Sequence, residues 1–238
     1  MKAAACKLAL PFALLAACAA TRTPGEPPAV RGRVVLDGSV PEPQLVELEE
    51  DMRAATGRSH RREDVWMTTP DGGLANCAVL LHPAERGSIP PAEPVEARFT
   101  KVGADFVPPV LVVPAGSLVV FRNEDSPSDC FHTKARRNPA LNTQLSPGQE
   151  TSVRYEHAEA IRVGSAMRDW LHGAVLVTDA PYFALTDERG EFALEGVRPG
   201  TYDVTLWHEG TGKVRRGEVR VAEDGSARLE LLLPAPAG

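Results

Sequence analysis

Apolar positions along this chain recur mostly at every second residue or in short unbroken runs, and turn-forming residues interrupt them at short intervals. Val30 to Val35 is a first strand signal, closed by the turn pair Asp37-Gly38. Leu45, Leu48 and Met52 fall at helical spacing and predict one short helix. Asp71-Gly72-Gly73 is a turn before the apolar run Leu74 to Leu81. Val110 to Val113 and Leu118 to Phe121, separated by Pro-Ala-Gly-Ser, predict a hairpin. Strand text resumes at Thr151 to Tyr155 and at Gly173 to Thr178. Further on, Tyr202, Val204 and Leu206, then Val219 and Val221, then Leu229, Leu231 and Leu233 alternate with polar residues, the period of half-buried antiparallel strands. Two stretches lack such a signal. The charged patch Arg58 to Asp64 is expected to be a solvated loop, and Arg122 to Gly148 one long polar loop of the kind that binds or frays. The expected fold class is all-β.

Composition sharpens this picture. A chain of 238 residues allows one large or two modest domains, and 21 prolines with 20 glycines against 5% aromatics favour short strands and many turns. A net charge of -6 argues against a nucleic-acid surface, which needs a basic stripe to displace counterions. At the N-terminus, Lys2 and Lys7 flank an apolar stretch, Leu8 to Ala17, of export-signal length. It ends in Leu15-Ala16-Ala17-Cys18, which resembles a bacterial lipobox. The resemblance implies cleavage before Cys18, lipid on its thiol and membrane attachment through that lipid. An ordinary signal-peptidase site near Ala17 or Ala19 is the other reading. Ala19, in place of an aspartate, points by analogy to the outer membrane, with the protein facing the periplasm. Residues 1–18 are thus expected to be signal, and residues 19–29, with the proline-rich Thr21 to Pro28, a tether.

Three segments carry a family resemblance. Leu74-Ala75-Asn76 leading into strand, then FVPPVLVVPAGSLVVFRNED, then Trp170 to Glu209 look like the plastocyanin-like cupredoxin proteins often labelled methylamine-utilisation proteins. In these a Greek-key cupredoxin sandwich is joined to a small carboxypeptidase-regulatory-like (transthyretin-like) sandwich. The resemblance implies a connector at residues 30–59, a cupredoxin-like domain at 60–180 and the small domain at 181–235. The strand within 31–36 is a candidate to complete that small sandwich, which would make the cupredoxin part an insertion. Relatives hold type 1 copper with two histidines, a cysteine thiolate and an axial methionine, a soft set that suits the metal. Here the corresponding positions are Asp129, Ser165, Arg168 and Leu171. A fixed guanidinium is hostile to a cation. Asp129 and Arg168 are therefore expected to form a bidentate ion pair where the metal would sit.

Asp129, Cys130 and His132 offer a compact alternative set for copper or zinc, against a plain polar loop; no fourth ligand is obvious among His157, His172 and Met167. Cys77 and Cys130 either pair as a disulfide or stand apart. His208-Glu209 suggests packing more than acid–base work, and His60 and His82 carry no signal. No Gly-x-Ser-x-Gly elbow, His-Glu-x-x-His or Walker loop is present. The expectation is a non-enzymatic envelope protein without a cofactor, binding an unknown protein or carbohydrate ligand. The alternatives are copper binding or electron transfer at a non-standard site, and an enzyme built on the long loop.

Overall fold

The computed structural model describes residues 29–39, 42–63 and 65–235; the segment expected to be an export signal, most of the expected tether and residues 236–238 lie outside the described residues. Strand β1 (Ala29–Asp37) is followed by an excursion of β2 (Gln44–Glu47), helix α1 (Glu50–Thr56) and β3 (His60–Glu63). Then come β4 (Ala78–Pro83), β5 (Glu96–Val102), β6 (Asp105–Val107), β7 (Val110–Pro114) and β8 (Ser117–Asn123). The middle of the chain supplies β9 (Asp129–Lys134), β10 (Asn142–Leu145), β11 (Glu150–Tyr155), β12 (Glu159–Ser165) and β13 (His172–Thr178). Last are β14 (Tyr182–Leu185), β15 (Glu191–Glu195), β16 (Gly200–His208), β17 (Gly212–Val221) and β18 (Ala227–Pro234). The protein is all-β.

Four sheets stack as two sandwiches back to back. The larger sandwich packs sheet β10-β9-β12-β13-β7 against sheet β11-β8-β5-β6 over Phe99, Phe121, Phe131, Tyr155, Ile161 and Val175. The smaller packs β14-β4-β16-β17 against β15-β1-β18 over Val30, Leu81, Tyr202, Val204, Leu206 and Leu231. A third apolar layer, Ala78, Leu80, Val110, Ala174, Leu176 and Trp207, joins the two inner sheets. The sequence of β4 and β13 follows from this position. Both are apolar at consecutive residues because each faces two cores. Val79 and Leu81 point into the small sandwich and Ala78 and Leu80 into the junction. On β13, Val175 and Val177 point into the larger core and Ala174 and Leu176 into the junction. Outer strands alternate, as β18 does with Leu229, Leu231 and Leu233 buried between exposed neighbours.

The chain weaves between the two bodies. β1 runs antiparallel to β15 and parallel to β18, so the small sandwich is closed by both ends of the chain. Residues 44–63 then cross to the larger sandwich, where Leu48, just ahead of α1, and Met52 within it enter its core. β4 returns to lie between β14 and β16. The expected boundaries therefore need correcting. β4 belongs to the small sandwich although it falls within 60–180, α1 belongs to the larger one although it falls within 30–59, and Ala29 already pairs in β1. Apolar runs mark strands without naming their sheet.

Three local expectations also change. β7 and β8 form no hairpin: β7 pairs with β13 and β8 with β5 and β11, in different sheets. Ala115 donates its N–H to Thr178 and Gly116 to Tyr155, and these bonds, with Gly116 at φ 90°, turn the chain from one sheet to the other. The long loop holds β9 and β10. Its alternation was masked because Asp129 occupies an inward position ahead of Phe131 and Thr133. The patch Arg58 to Asp64 contains β3, paired with β2, and its Arg61 is buried.

Because the junction is apolar and continuous, the two sandwiches should unfold together. Truncating Leu176→Ala, which faces Leu80 and Trp207 in that layer, is expected to cost about 2–4 kcal/mol. It should shift a single calorimetric transition as a whole. Two separately moving transitions would contradict shared cooperativity.

Candidate functional site: a buried charge network and an adjoining cleft

At one end of the larger sandwich, four chain segments bring ionised groups out of water. β5 carries Phe99 and Lys101 on its inward face, and Lys101 is fully buried. Its ammonium meets Asp125 at 2.6 Å and Asp129 at 3.5 Å. Asp125 also accepts the backbone N–H groups of Gly103 (2.6 Å) and Ala104 (3.2 Å). Those residues form the tight turn between β5 and β6, with φ values of 64° and 73°. A side-chain residue such as Ala104 resists that left-handed conformation, and the Asp125 carboxylate holds it there. Asn123 ties the segment down from below, donating to Pro127 and Leu145 carbonyls at 3.0 Å each.

The second half of the network is centred on Asp129, the first residue of β9, with no exposure. One carboxylate oxygen accepts the Cys130 N–H at 2.8 Å and the hydroxyl of Ser165 at the end of β12. The other accepts Arg168 Nη1 at 2.8 Å. Ser165 in turn receives the N–H groups of Met167 and Arg168, each at 2.9 Å, which curls the segment after β12 so that the guanidinium points back at Asp129. The pair is not bidentate: the second arm of Arg168, Nη2, bonds Asp51 of α1 at 2.5 Å. Leu171 is 1% exposed and packs in the core beneath. Asp129, Ser165, Arg168 and Leu171 thus come together in space.

Residues of the early excursion complete the cover, and the sequence pattern did not flag them. Glu49 accepts the indole N–H of Trp170 at 3.1 Å. Arg61 lies 5.6 Å over the Trp170 ring and bonds Asp105 at 2.6 Å. Met52 touches the Lys101 ammonium at 3.9 Å. The one available signal for Lys101 was a charge in phase with Phe99 on a strand.

The other proposed metal set does not assemble. Side chains alternate along β9, so Asp129 faces the core while Cys130 and His132 face outward. Among the described residues no three His, Cys, Asp or Glu side chains converge on a metal position. Cys77 and Cys130 are not joined: Cys77 packs inside the small sandwich, whereas Cys130 Sγ lies 3.5 Å from Asn142 on the edge strand β10. His157 donates its N–H to Asn138, His60 Nδ1 pairs with Ser59, His82 meets Asp179 at 3.1 Å, and Met167 is 55% exposed.

His132 instead lines a cleft of about 610 Å³ between the sandwiches, with Lys134, Arg162 and Gly164 as its floor and Trp66, Glu209 and Gly210 opposite. His172 Nδ1 meets Glu209 at 3.1 Å. Trp66 stacks on His208 at 4.5 Å between centroids. His208 Nδ1 accepts the Gly210 N–H at 3.2 Å. Burial pushes its pKa down to about 4, against the pull of Glu209 and of a hydrogen bond to the Val65 backbone.

The molecule so defined is a pair of β-sandwiches, the larger carrying a buried ion network at one end. A family model described as polysaccharide lyase family 4, domain II, matches residues 157–229, from β12 into β18. No curated protein sequence matches the chain. Among solved structures, the chain is similar to a purple cupredoxin from Nitrosopumilus maritimus at 19% identity over 34% of this chain and 99% of that one, with a TM-score of 0.31. It is also similar to a reduced amicyanin variant at 19% identity, over 35% of this chain and 82% of that one, TM-score 0.33. A copper-containing nitrite reductase from Thermus scotoductus SA-01 matches at 21% identity over 41% of this chain and 25% of that one, TM-score 0.33.

Two outcomes follow. Arg168→Met leaves buried Asp129 with only the Lys101 ammonium, 3.5 Å away, and should cost about 3–5 kcal/mol, whereas Arg168→Met with Asp129→Leu should recover most of that loss. Chemical denaturation of the four species in the cycle measures it; additive losses would remove the pair from the account. His208 is neutral when folded, and its unfolded form takes a proton near 6.5. Its contribution is intact above pH 6.5 and is lost as pH falls towards about 4, by up to about 3 kcal/mol. His208→Gln should flatten that part of the melting-temperature profile relative to the parent.

Proposed function

We propose that this chain is an exported, lipid-anchored envelope protein whose larger sandwich follows the plastocyanin-like, methylamine-utilisation-type plan with the type 1 copper replaced by fixed ion pairs. It works as a binding or structural module, not as an electron carrier or an enzyme. The observation that carries this reading is the saturation of Asp129. Both its oxygens are engaged by Cys130 N–H, the Ser165 hydroxyl and Arg168 Nη1, with the Lys101 ammonium close by. The donor set does not fit copper: a hydroxyl, a guanidinium and an isobutyl group stand where a thiolate, an imidazole and a thioether would be needed. Two buried cations within reach of one carboxylate oxygen would also repel a third.

The smaller sandwich, in this reading, is the carboxypeptidase-regulatory-like (transthyretin-like) module and presents a surface to a protein or carbohydrate. The match to a polysaccharide lyase domain supports a carbohydrate setting. Cys18 carries the lipid and holds the protein on the periplasmic face of the outer membrane.

Two measurements test the two halves of the proposal. Purified mature protein titrated with Cu(II) should retain no stoichiometric metal and develop no intense visible charge-transfer band. A blue species with a type 1 spin-resonance signature would sink the replacement. Cys18→Ser should move the protein from the membrane fraction to the soluble fraction, and its continued sedimentation with membranes would refute lipid anchoring.

A further inference from the structure

The outer face of sheet β10-β9-β12-β13-β7 is only half covered. The small sandwich sits on β13 and β7 through Ala174, Leu176 and Val110, and leaves the β9 and β12 side as the floor of the 610 Å³ cleft. On that floor Arg162 and Lys134 are direct cross-strand neighbours, both pointing outward. Like charges in this relation destabilise a sheet. Among the described residues neither has an acidic partner. Several cations elsewhere meet carboxylates, among them Arg33, Arg58, Arg61, Arg98, Arg122 and Arg168. What sets Lys134 and Arg162 apart is that they lie directly side by side in a recess.

The rest of the recess is mixed in charge, with Glu42, Asp169 and Glu209 lining it alongside the cation pair. Gly164 lies two residues along β12 from Arg162, in register with His132 on one side and His172 on the other. A side chain there would meet the His132 ring at 2.9 Å, so the glycine keeps the floor low beneath the imidazole. His132 Nδ1 is buried with no hydrogen-bond partner. On the next strand the His172 ring is oriented by Glu209. Trp66, braced by His208, supplies an apolar wall. The volume is in the range that holds a small organic ligand.

We propose that this cleft binds an acidic sugar, a hydroxyl-bearing ring whose carboxylate or phosphate group sits on Arg162 and Lys134. A guanidinium beside an ammonium matches a two-oxygen anion. Imidazole and carboxylate groups along the floor and rim suit hydroxyls, and an indole wall suits the apolar face of a ring. The inference deepens the reading of the chain as a binding module and names its ligand class. Copper found at Asp129 would defeat the replacement of the metal and leave the cleft's unpaired cations in place.

The experiment is calorimetric titration of the full mature protein, with indole fluorescence as a second readout, against digalacturonate, glucose 6-phosphate, maltose and inorganic phosphate. At least one of the two anionic sugars should bind, and which one tells a carboxylate source from a phosphate source. Maltose and inorganic phosphate should each be weaker by about tenfold or more. Lys134→Ala with Arg162→Ala should lose about tenfold or more in affinity at an unchanged melting temperature. Arg98→Ala with Arg122→Ala, on the opposite outer sheet, should bind as the parent does. Failure of both anionic sugars to bind, affinity unaffected by loss of the cation pair, or inorganic phosphate binding as tightly as either sugar would overturn the assignment.

Discussion

A carboxylate placed in a β-sandwich with no water must have its charge met by the protein itself, and Asp129 is that carboxylate. Everything at this end of the molecule is arranged around it. β5 delivers Lys101, the turn after β12 delivers Ser165 and Arg168, and α1 crosses from the other sandwich with Asp51 to take up the second guanidinium arm. Removing Arg168 or Lys101 leaves the buried carboxylate with one counter-ion in place of two, which costs more than the intact pair contributes. Such a network therefore fixes geometry better than it adds stability. The Arg168 Nε atom has no hydrogen-bond partner, its nearest carboxylate oxygen on Glu49 being 4.0 Å away, so even this well-filled cluster is not fully satisfied.

The same reasoning explains how much of the molecule could be read from the residues. The all-β class followed from period-two alternation, and β15 and β18 show it because one face of each is solvated, whereas β16 is buried on both faces from Val204 to His208. Where both faces are buried, as on β4 and β13, the pattern becomes a plain apolar run. It announces a strand but not the sheet, which is why β4 was assigned to the wrong sandwich. Where polar groups face inward, the pattern fails outright. β9 opens with Asp129 and β5 ends with Lys101 on the core face, and both looked like surface text.

The site was legible through resemblance, not through periodicity. Four positions aligned with a metal site were expected to converge, and three of them touch. The contribution of α1 and β3 was invisible because long-range ion pairs such as Asp51 with Arg168 and Arg61 with Asp105 leave no local signature. The cleft was missed for a related reason. Cross-strand register puts Arg162 beside Lys134, and register between strands nearly thirty residues apart is set by the core, not by neighbours in the chain.

The parallel pairing of β1 with β18 carries a consequence for how the molecule is made. Val30 and Val34 find their partners Ala227 and Leu231 only after every strand between them has been made. The small sandwich cannot close until β18 has been made. Until then its first strand must stay open or be shielded, and a premature stop anywhere before Ala227 removes one strand of the three described in that sheet.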